Sequence, residues 1–244
     1  MISAGSRKSI LARAADTTRT LVQRFALPQR CLFCRGADAP DGICLRCRGD
    51  LPGWNAQRCP VCAELSPGAQ RCGRCLQDPP ELSRVVTAVS YRFPADAAIR
   101  RLKYAGALRL ARPLGALLAE RVALEPAPDL IVPMPLSPER LRGRGFNQAL
   151  ELARVIGGEL GARLDVQRCV RARDTPPQAS LPWDERQRNV RGAFAWRGPL
   201  DASRVAVVDD VMTTGATLEE LARTLKRAGA REIVGWVVAR TESR

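Results

Sequence analysis

Eight of the nine cysteines in this chain stand in four Cys-x-x-Cys pairs, and the pairs themselves repeat. Cys31/Cys34 and Cys44/Cys47 return 28 residues later as Cys59/Cys62 and Cys72/Cys75, so the unit C-x2-C-x9-C-x2-C occurs twice in tandem. A Cys-x-x-Cys turn brings two thiolates within reach of one ion, and two such knuckles complete a tetrahedral shell around Zn2+. Between Leu32 and Leu76 the large apolar residues are few, chiefly Phe33, Ile43, Leu51, Trp54 and Leu65, too few to fold by burial alone. Zinc, worth about 10–16 kcal/mol per structural site in finger peptides, supplies what such a core lacks. The spacing favours one ion on Cys31, Cys34, Cys44 and Cys47 and a second on Cys59, Cys62, Cys72 and Cys75; a cross-braced pairing draws on the same residues. Cys169, isolated in the apolar-flanked run from Leu164 to Val170, reads as a buried strand cysteine.

Disulfides would need an oxidising compartment. The N-terminus lacks the continuous apolar stretch of a secretory signal, and no run approaches the roughly 20 apolar residues that span a bilayer. The expectation is a cytoplasmic protein without a membrane span. Residues 1–27 are basic, and Ile10, Leu21, Val22 and Phe25 fit one face of a lead-in helix.

The formal charge is +14, from 39 basic against 25 acidic residues, and lysine occurs only at Lys8, Lys103 and Lys226. Arginine offers a planar fork of donors that suits phosphate, and a positive field attracts polyanions, so a phosphate-bearing ligand or single-stranded DNA is the expected partner class. Histidine is absent. That removes imidazole bases, His-dependent triads and nitrogen-ligated metal sites, leaving acid–base work to Asp or Glu.

Pro79 and Pro80 end the cysteine region, dividing the chain into a basic segment (1–27), a double ribbon (28–80) and a larger domain (81–244). In the last, strand-like and helix-like segments alternate. Val85–Tyr91, Asp129–Pro133, Leu164–Val170, Gly192–Trp196, Val205–Asp209 and Glu232–Ala239 read as extended; Ala95–Tyr104, Leu108–Leu124, Asn147–Leu160 and Thr217–Ala228 read as helical. That order predicts an α/β fold, a parallel sheet with helices on both faces.

The stretch Val205-Ala-Val-Val-Asp-Asp-Val-Met-Thr-Thr-Gly-Ala-Thr217 carries the most chemistry. An apolar strand ends in two acids at the carboxyl edge, where open α/β sheets bind ligands. A hydroxyl-rich turn then enters a helix, whose first N–H groups and dipole, roughly half a charge, cradle a phosphate. Gly215 permits close backbone approach, and Thr213, Thr214 and Thr217 add hydroxyl donors. Two acids cannot bind that phosphate, but they suit the hydroxyls of an attached ribose.

This segment resembles the phosphoribosyl-diphosphate motif of type I phosphoribosyltransferases. The resemblance implies that Asp209 and Asp210 hold the ribose hydroxyls, directly or through water and Mg2+, and that Thr213, Thr214, Gly215, Ala216 and Thr217 hold the 5′-phosphate. It also makes Asp209 and Asp210 the candidate catalytic acids. The Pro-restricted loop in Asp129-Leu-Ile-Val-Pro-Met-Pro-Leu-Ser137 stands where that family carries its diphosphate loop, which assigns Pro135 and Leu136 to the ligand. Arg140, Arg142 and Arg144 follow close by, and alternation along Arg140-Leu-Arg-Gly-Arg-Gly-Phe-Asn-Gln148 can aim their guanidinium groups at one patch, with Arg142 and Arg144 assigned to the ligand. The polar segment from Thr175 to Phe194, with Gln178, Arg186 and Arg188, resembles the family's mobile lid.

Together with Ile99-Arg-Arg-Leu-Lys-Tyr-Ala-Gly106, Arg144-Gly-Phe-Asn-Gln148 and Arg188-Asn-Val-Arg-Gly-Ala-Phe194, the cysteine-rich front and this motif make the chain similar to the ComF family over about residues 28 to 240. The resemblance implies a type I phosphoribosyltransferase fold behind a double zinc ribbon, a phosphoribosyl-diphosphate ligand with Mg2+, and a link to DNA uptake or processing, with a helicase as a candidate partner. A non-catalytic DNA-binding or ligand-sensing protein on the same fold is the alternative.

Overall fold

The computed structural model describes residues 30–39, 41–173 and 190–242. The expected lead-in helix in 1–27 and the lid residues Gln178, Arg186 and Arg188 lie outside the described residues. The chain divides into two compact units, the first ending at Leu45 and the second running from Arg46.

In the first unit the chain folds back on itself at the first knuckle. The Cys31 N–H donates to Gly36 O (2.9 Å), and the Leu32 N–H to Gly42 O (2.8 Å). Arg35, just past the first knuckle, adopts φ 60°. The tandem repeat is conformational as well as chemical. Ala63, 28 residues on, has φ 56°, and the Cys59 N–H donates to Glu64 O (2.8 Å) as Cys31 does to Gly36. Short helices follow the third cysteine of each set, α1 at Leu45–Gly49 and α2 at Gly73–Gln77.

The second unit is built on four parallel strands: β1 Arg84–Ser90, β2 Leu130–Pro133, β5 Arg204–Met212 and β6 Glu232–Arg240. Their order is β1-β6-β5-β2, with Val85 opposite Gly235, Val208 opposite Trp236 and Leu130 opposite Val205. The helices are α3 Ala95–Tyr104, α4 Ala111–Val122, α5 Pro138–Arg144, α6 Gln148–Leu160 and α7 Ala216–Arg227. Strands β5 and β6 are apolar at successive positions because both faces are covered. Val205, Val207, Ile233 and Val237 pack with Leu218, Leu221 and Leu225 of α7. Ala206, Val208, Val234, Trp236 and Val238 are equally buried on the alternate face, where α4 and α6 contact the strands.

Three differences from the sequence reading have physical causes. Leu164–Val170 is not one strand: Leu164 pairs with Ile131 as a parallel bridge at the sheet margin, while β3 (Cys169–Arg171) turns away into an antiparallel pair with β4 (Phe194–Trp196). Asp165 breaks the run by accepting the Gln167 and Arg168 N–H groups (3.0 and 2.8 Å), an Asx-type turn. Cys169 is buried in β3, as expected.

Strand β5 also runs past Asp209 to Met212, because β6 pairs with it that far, Val211 opposite Ala239 and Met212 opposite Arg240. The third difference concerns the border at Pro79–Pro80. The second four-cysteine set belongs with the sheet: Cys59, Val61, Cys62 and Cys75 share one apolar cluster with Leu82, Val85, Met212 and Leu218. Among the described residues no helix is long and apolar enough to cross a membrane.

Candidate functional site

The eight paired cysteines form two groups, Cys31/Cys34/Cys44/Cys47 and Cys59/Cys62/Cys72/Cys75, with the sulfurs of each group all within 4.8 Å of one another. The grouping is the sequential one. Tetrahedral thiolates at about 2.3 Å from Zn2+ stand about 3.8 Å apart. The Cys34–Cys44 and Cys62–Cys72 sulfurs are 3.7 and 3.6 Å apart. In each set a backbone N–H points at the first sulfur, Cys44 to Cys31 and Cys72 to Cys59, both at 3.4 Å. Burial raises the Cys31 and Cys59 thiols, but these and neighbouring N–H donors outweigh it and bring both down to about 6. Thiolates in this arrangement fit two structural zinc sites.

The larger site lies at the carboxyl ends of β5 and β2. Asp209 is half-buried and Asp210 fully so, and each carboxylate accepts the N–H of the next residue at 2.9 Å. The second Asp210 oxygen meets the Lys103 ammonium of α3 at 2.8 Å. Burial first, then the Asp210 charge alongside it, push the Asp209 carboxyl up to about 8, with Lys103 pulling the other way. Beyond Met212 the chain turns through Gly215, in the left-handed region at φ 90°, into α7. A side chain at Gly215 would meet Met212 Cε at 2.6 Å, so only glycine makes this turn without displacement.

A cavity of about 720 Å3 opens over this edge. Asp209, Asp210, Thr213 and Thr217 line one side; Pro135, Leu136, Arg140, Arg144 and Gln148 line another. The segment after β2 is set by two caps. Ser137 Oγ accepts the Arg140 N–H (3.4 Å) to start α5, and Asn147 Oδ1 accepts the Ala149 and Leu150 N–H groups (2.9 and 3.4 Å) to start α6. Asn147 also donates to Met134 O at 3.0 Å, fixing the Pro-containing loop.

Of the residues singled out in the sequence, Asp209, Asp210, Thr213, Thr217, Pro135, Leu136 and Arg144 come together on this cavity. Arg142 does not. Because 138–144 is helical, the cavity is met at four-residue spacing by Arg140 and Arg144, and Arg142, exposed, falls outside the lining. Thr214 and Gly215 border a separate cavity behind the turn, and Ala216 is buried at the start of α7.

Sequence reasoning missed Lys103, Tyr91, Tyr104 and Arg171, all of which line the cavity. Composition held a signal for three of them. Lys103 is one of three lysines in an arginine-dominated chain, and Tyr91 and Tyr104 are its only tyrosines.

Comparison with known proteins places the cysteine-rich front in one family and finds relatives along most of the chain. Residues 22–76 match the double zinc ribbon domain family. The chain is 35% identical over 227 residues to the DNA utilization protein YhgH of Salmonella typhi, covering 89% of this chain and 99% of that one. It is 33% identical over 227 residues to competence protein F of Haemophilus influenzae, covering 86% and 96%. The chain belongs to the ComF family. A more distant relative is competence protein ComFC of Streptococcus pneumoniae, 26% identical over 78% of this chain and 84% of that one. Among solved structures, the purine phosphoribosyltransferase of Pyrococcus horikoshii is similar at 26% identity over 50% of this chain and 66% of that one, with a TM-score of 0.29. TT1426 of Thermus thermophilus is similar at 23% identity over 55% and 84%, with a TM-score of 0.31.

Proposed function

We propose that this ComF-family chain binds phosphoribosyl diphosphate together with Mg2+ and transfers the phosphoribosyl group to an acceptor. One observation carries the reading: the paired aspartates and the two threonines flanking the turn, Thr213 and Thr217, line the same cavity as Arg140 and Arg144. A ligand with a phosphate at one end, hydroxyls in the middle and a diphosphate at the other matches that order of groups. The Thr213 and Thr217 hydroxyls and the α7 N-terminus take the 5′-phosphate. Asp209 accepts from the ribose hydroxyls, and Arg140 and Arg144 face the diphosphate with charge-assisted donors. Mg2+, where bound with the ligand, would be held with the help of Asp209 and would supply charge neutralisation for the diphosphate.

In transfer, the acceptor's lone pair forms the new bond to the anomeric carbon as the carbon–oxygen bond to diphosphate breaks, and the acceptor's proton is lost. An Asp209 carboxylate beside the ribose stabilises the developing positive charge. Asp210 is held by Lys103, so its role is to place that cation and the strand end, and Asp209 is the acid open to exchange.

The test is calorimetric titration with phosphoribosyl diphosphate in the presence and absence of Mg2+. Asp209→Asn and Thr217→Val are each expected to weaken Mg2+-dependent binding by about ten-fold or more, the worth of one or two charge-assisted hydrogen bonds. Unchanged affinity in both overturns the assignment.

A second reading, contact with single-stranded DNA, is favoured by the +14 charge and by relatives named for DNA utilization and competence. The two readings are compatible, since a phosphate-directed surface and a sugar-diphosphate pocket use the same arginine chemistry.

A further inference from the structure

We propose that Arg240 is a positioning residue for the turn Thr213–Gly215, tying that turn to the second four-cysteine site so that the turn keeps its shape only while the metal site is intact. Arg240 ends β6 and is 1% exposed, although the run Ile233–Ala239 before it on the same strand is apolar. A guanidinium there costs heavily unless every donor is met.

Each of its three nitrogens has an acceptor, and the acceptors come from two directions. Nε donates to Cys62 O at 3.2 Å and Nη2 to Glu64 Oε2 at 2.9 Å, both at the first knuckle of the second cysteine set. Nη1 donates to Met212 O at 3.3 Å, to Thr213 O, and to Thr241 O at 2.6 Å. One rigid, planar group therefore joins a metal-ligand residue's carbonyl to the backbone at the start of the turn.

The turn lies between two cavities. Thr213 and Thr217 face the larger cavity, whereas Thr214 and Gly215 face a second cavity of about 370 Å3, also bordered by Cys62, Cys75 and Met212. The turn is a partition between two spaces, held at its helix end by the Glu219 N–H on Gly215 O (2.9 Å) and by Met212 Cε against Gly215, and at its strand end by the Arg240 bonds to Met212 and Thr213. On the other side of the link, the knuckle is a left-handed turn at Ala63, closed by the Cys59 N–H on Glu64 O. Cys59 and Cys62, which bracket it, are two of the four thiolates of the second group. Release of that metal frees the knuckle and with it the carbonyl and carboxylate that hold Arg240.

The binding consequence rests on the proposed phosphoribosyl-diphosphate reading; the structural coupling does not. The experiment uses the full zinc-loaded chain and variants Arg240→Met, Arg240→Lys, Glu64→Ala and Cys75→Ser. Hydrogen exchange is followed in peptides covering 209–217, with zinc content and Mg2+-phosphoribosyl-diphosphate affinity measured alongside.

In Arg240→Met and in Glu64→Ala, with two zinc ions retained per chain, exchange at 213–216 is expected to accelerate about ten-fold or more, as for loss of one or two charge-assisted bonds. Peptides of the sheet should be unchanged. Arg240→Lys restores part of the protection, and Cys75→Ser reproduces the acceleration with Arg240 in place. Unaltered exchange at 213–216 in either zinc-retaining variant overturns the coupling; Glu64→Ala decides alone if Arg240→Met does not fold. If wild type fails to bind the ligand while exchange responds as described, the functional reading falls and the coupling stands. Normal ligand binding with unresponsive exchange has the reverse meaning.

Discussion

Asp209 is the residue on which the proposed chemistry turns, and its environment makes a sign-definite prediction. Burial and the Asp210 charge keep its carboxyl protonated up to about 8, yet a ribose hydroxyl or Mg2+ needs the carboxylate. Affinity for the Mg2+-bound ligand should rise with pH, by up to about ten-fold per unit below 8, and flatten above, with one proton released on binding. Titration calorimetry in buffers of different ionisation enthalpy reads that proton, and Asp209→Asn should remove both the slope and the release. Folding stability runs the other way. Between the ordinary carboxylate range and about 8 the native state holds a proton that the unfolded chain has lost, so this group's contribution declines as pH rises through that window. The acid pair and the threonines were legible in the sequence because strand, acids and turn are contiguous. Lys103 was not, because it reaches Asp210 from more than 100 residues away, and no local pattern marks a long-range ion pair.

At the level of elements, local signals located most helices and strands, and the failures were failures of context. The alternation of Arg140, Arg142 and Arg144 suggested an extended patch, yet Ser137 as N-cap and Pro138 in the first turn mark a helix start that the glycines obscured. β5 runs past its acids only because β6 pairs with it there. The two zinc ribbons illustrate the same point. They share one sequence pattern and one local conformation, but the second contributes Cys59, Cys62 and Cys75 to the core of the sheet unit. Cys75→Ser is therefore expected to lower the stability of that unit by about 3 kcal/mol or more, seen as an earlier near-ultraviolet dichroism transition of the buried Trp236. Cys34→Ser, in the first unit, should leave that transition in place. Equal effects of the two substitutions would argue against the division.

For the whole molecule, the excess of 14 positive charges is a property of the field, not of the fold. If single-stranded DNA is a partner, its affinity should fall steeply with salt, about a hundred-fold or more between roughly 50 and 200 mM for some six phosphate contacts. Fluorescence anisotropy of a labelled oligonucleotide measures this, and a flat response would remove the DNA reading while leaving the pocket untouched. By itself the sequence determined the four-cysteine sets, the α/β alternation and the strand that ends in paired acids before a threonine turn, because spacing, periodicity and adjacency are written along the chain. Only the tertiary structure decided which ribbon joins the core, which arginines reach the cavity, that Lys103 holds Asp210, and that Arg240 joins a cysteine knuckle to the turn. Those depend on which distant segments share the buried space around one sheet, and burial is a property of the packed chain that no local stretch encodes.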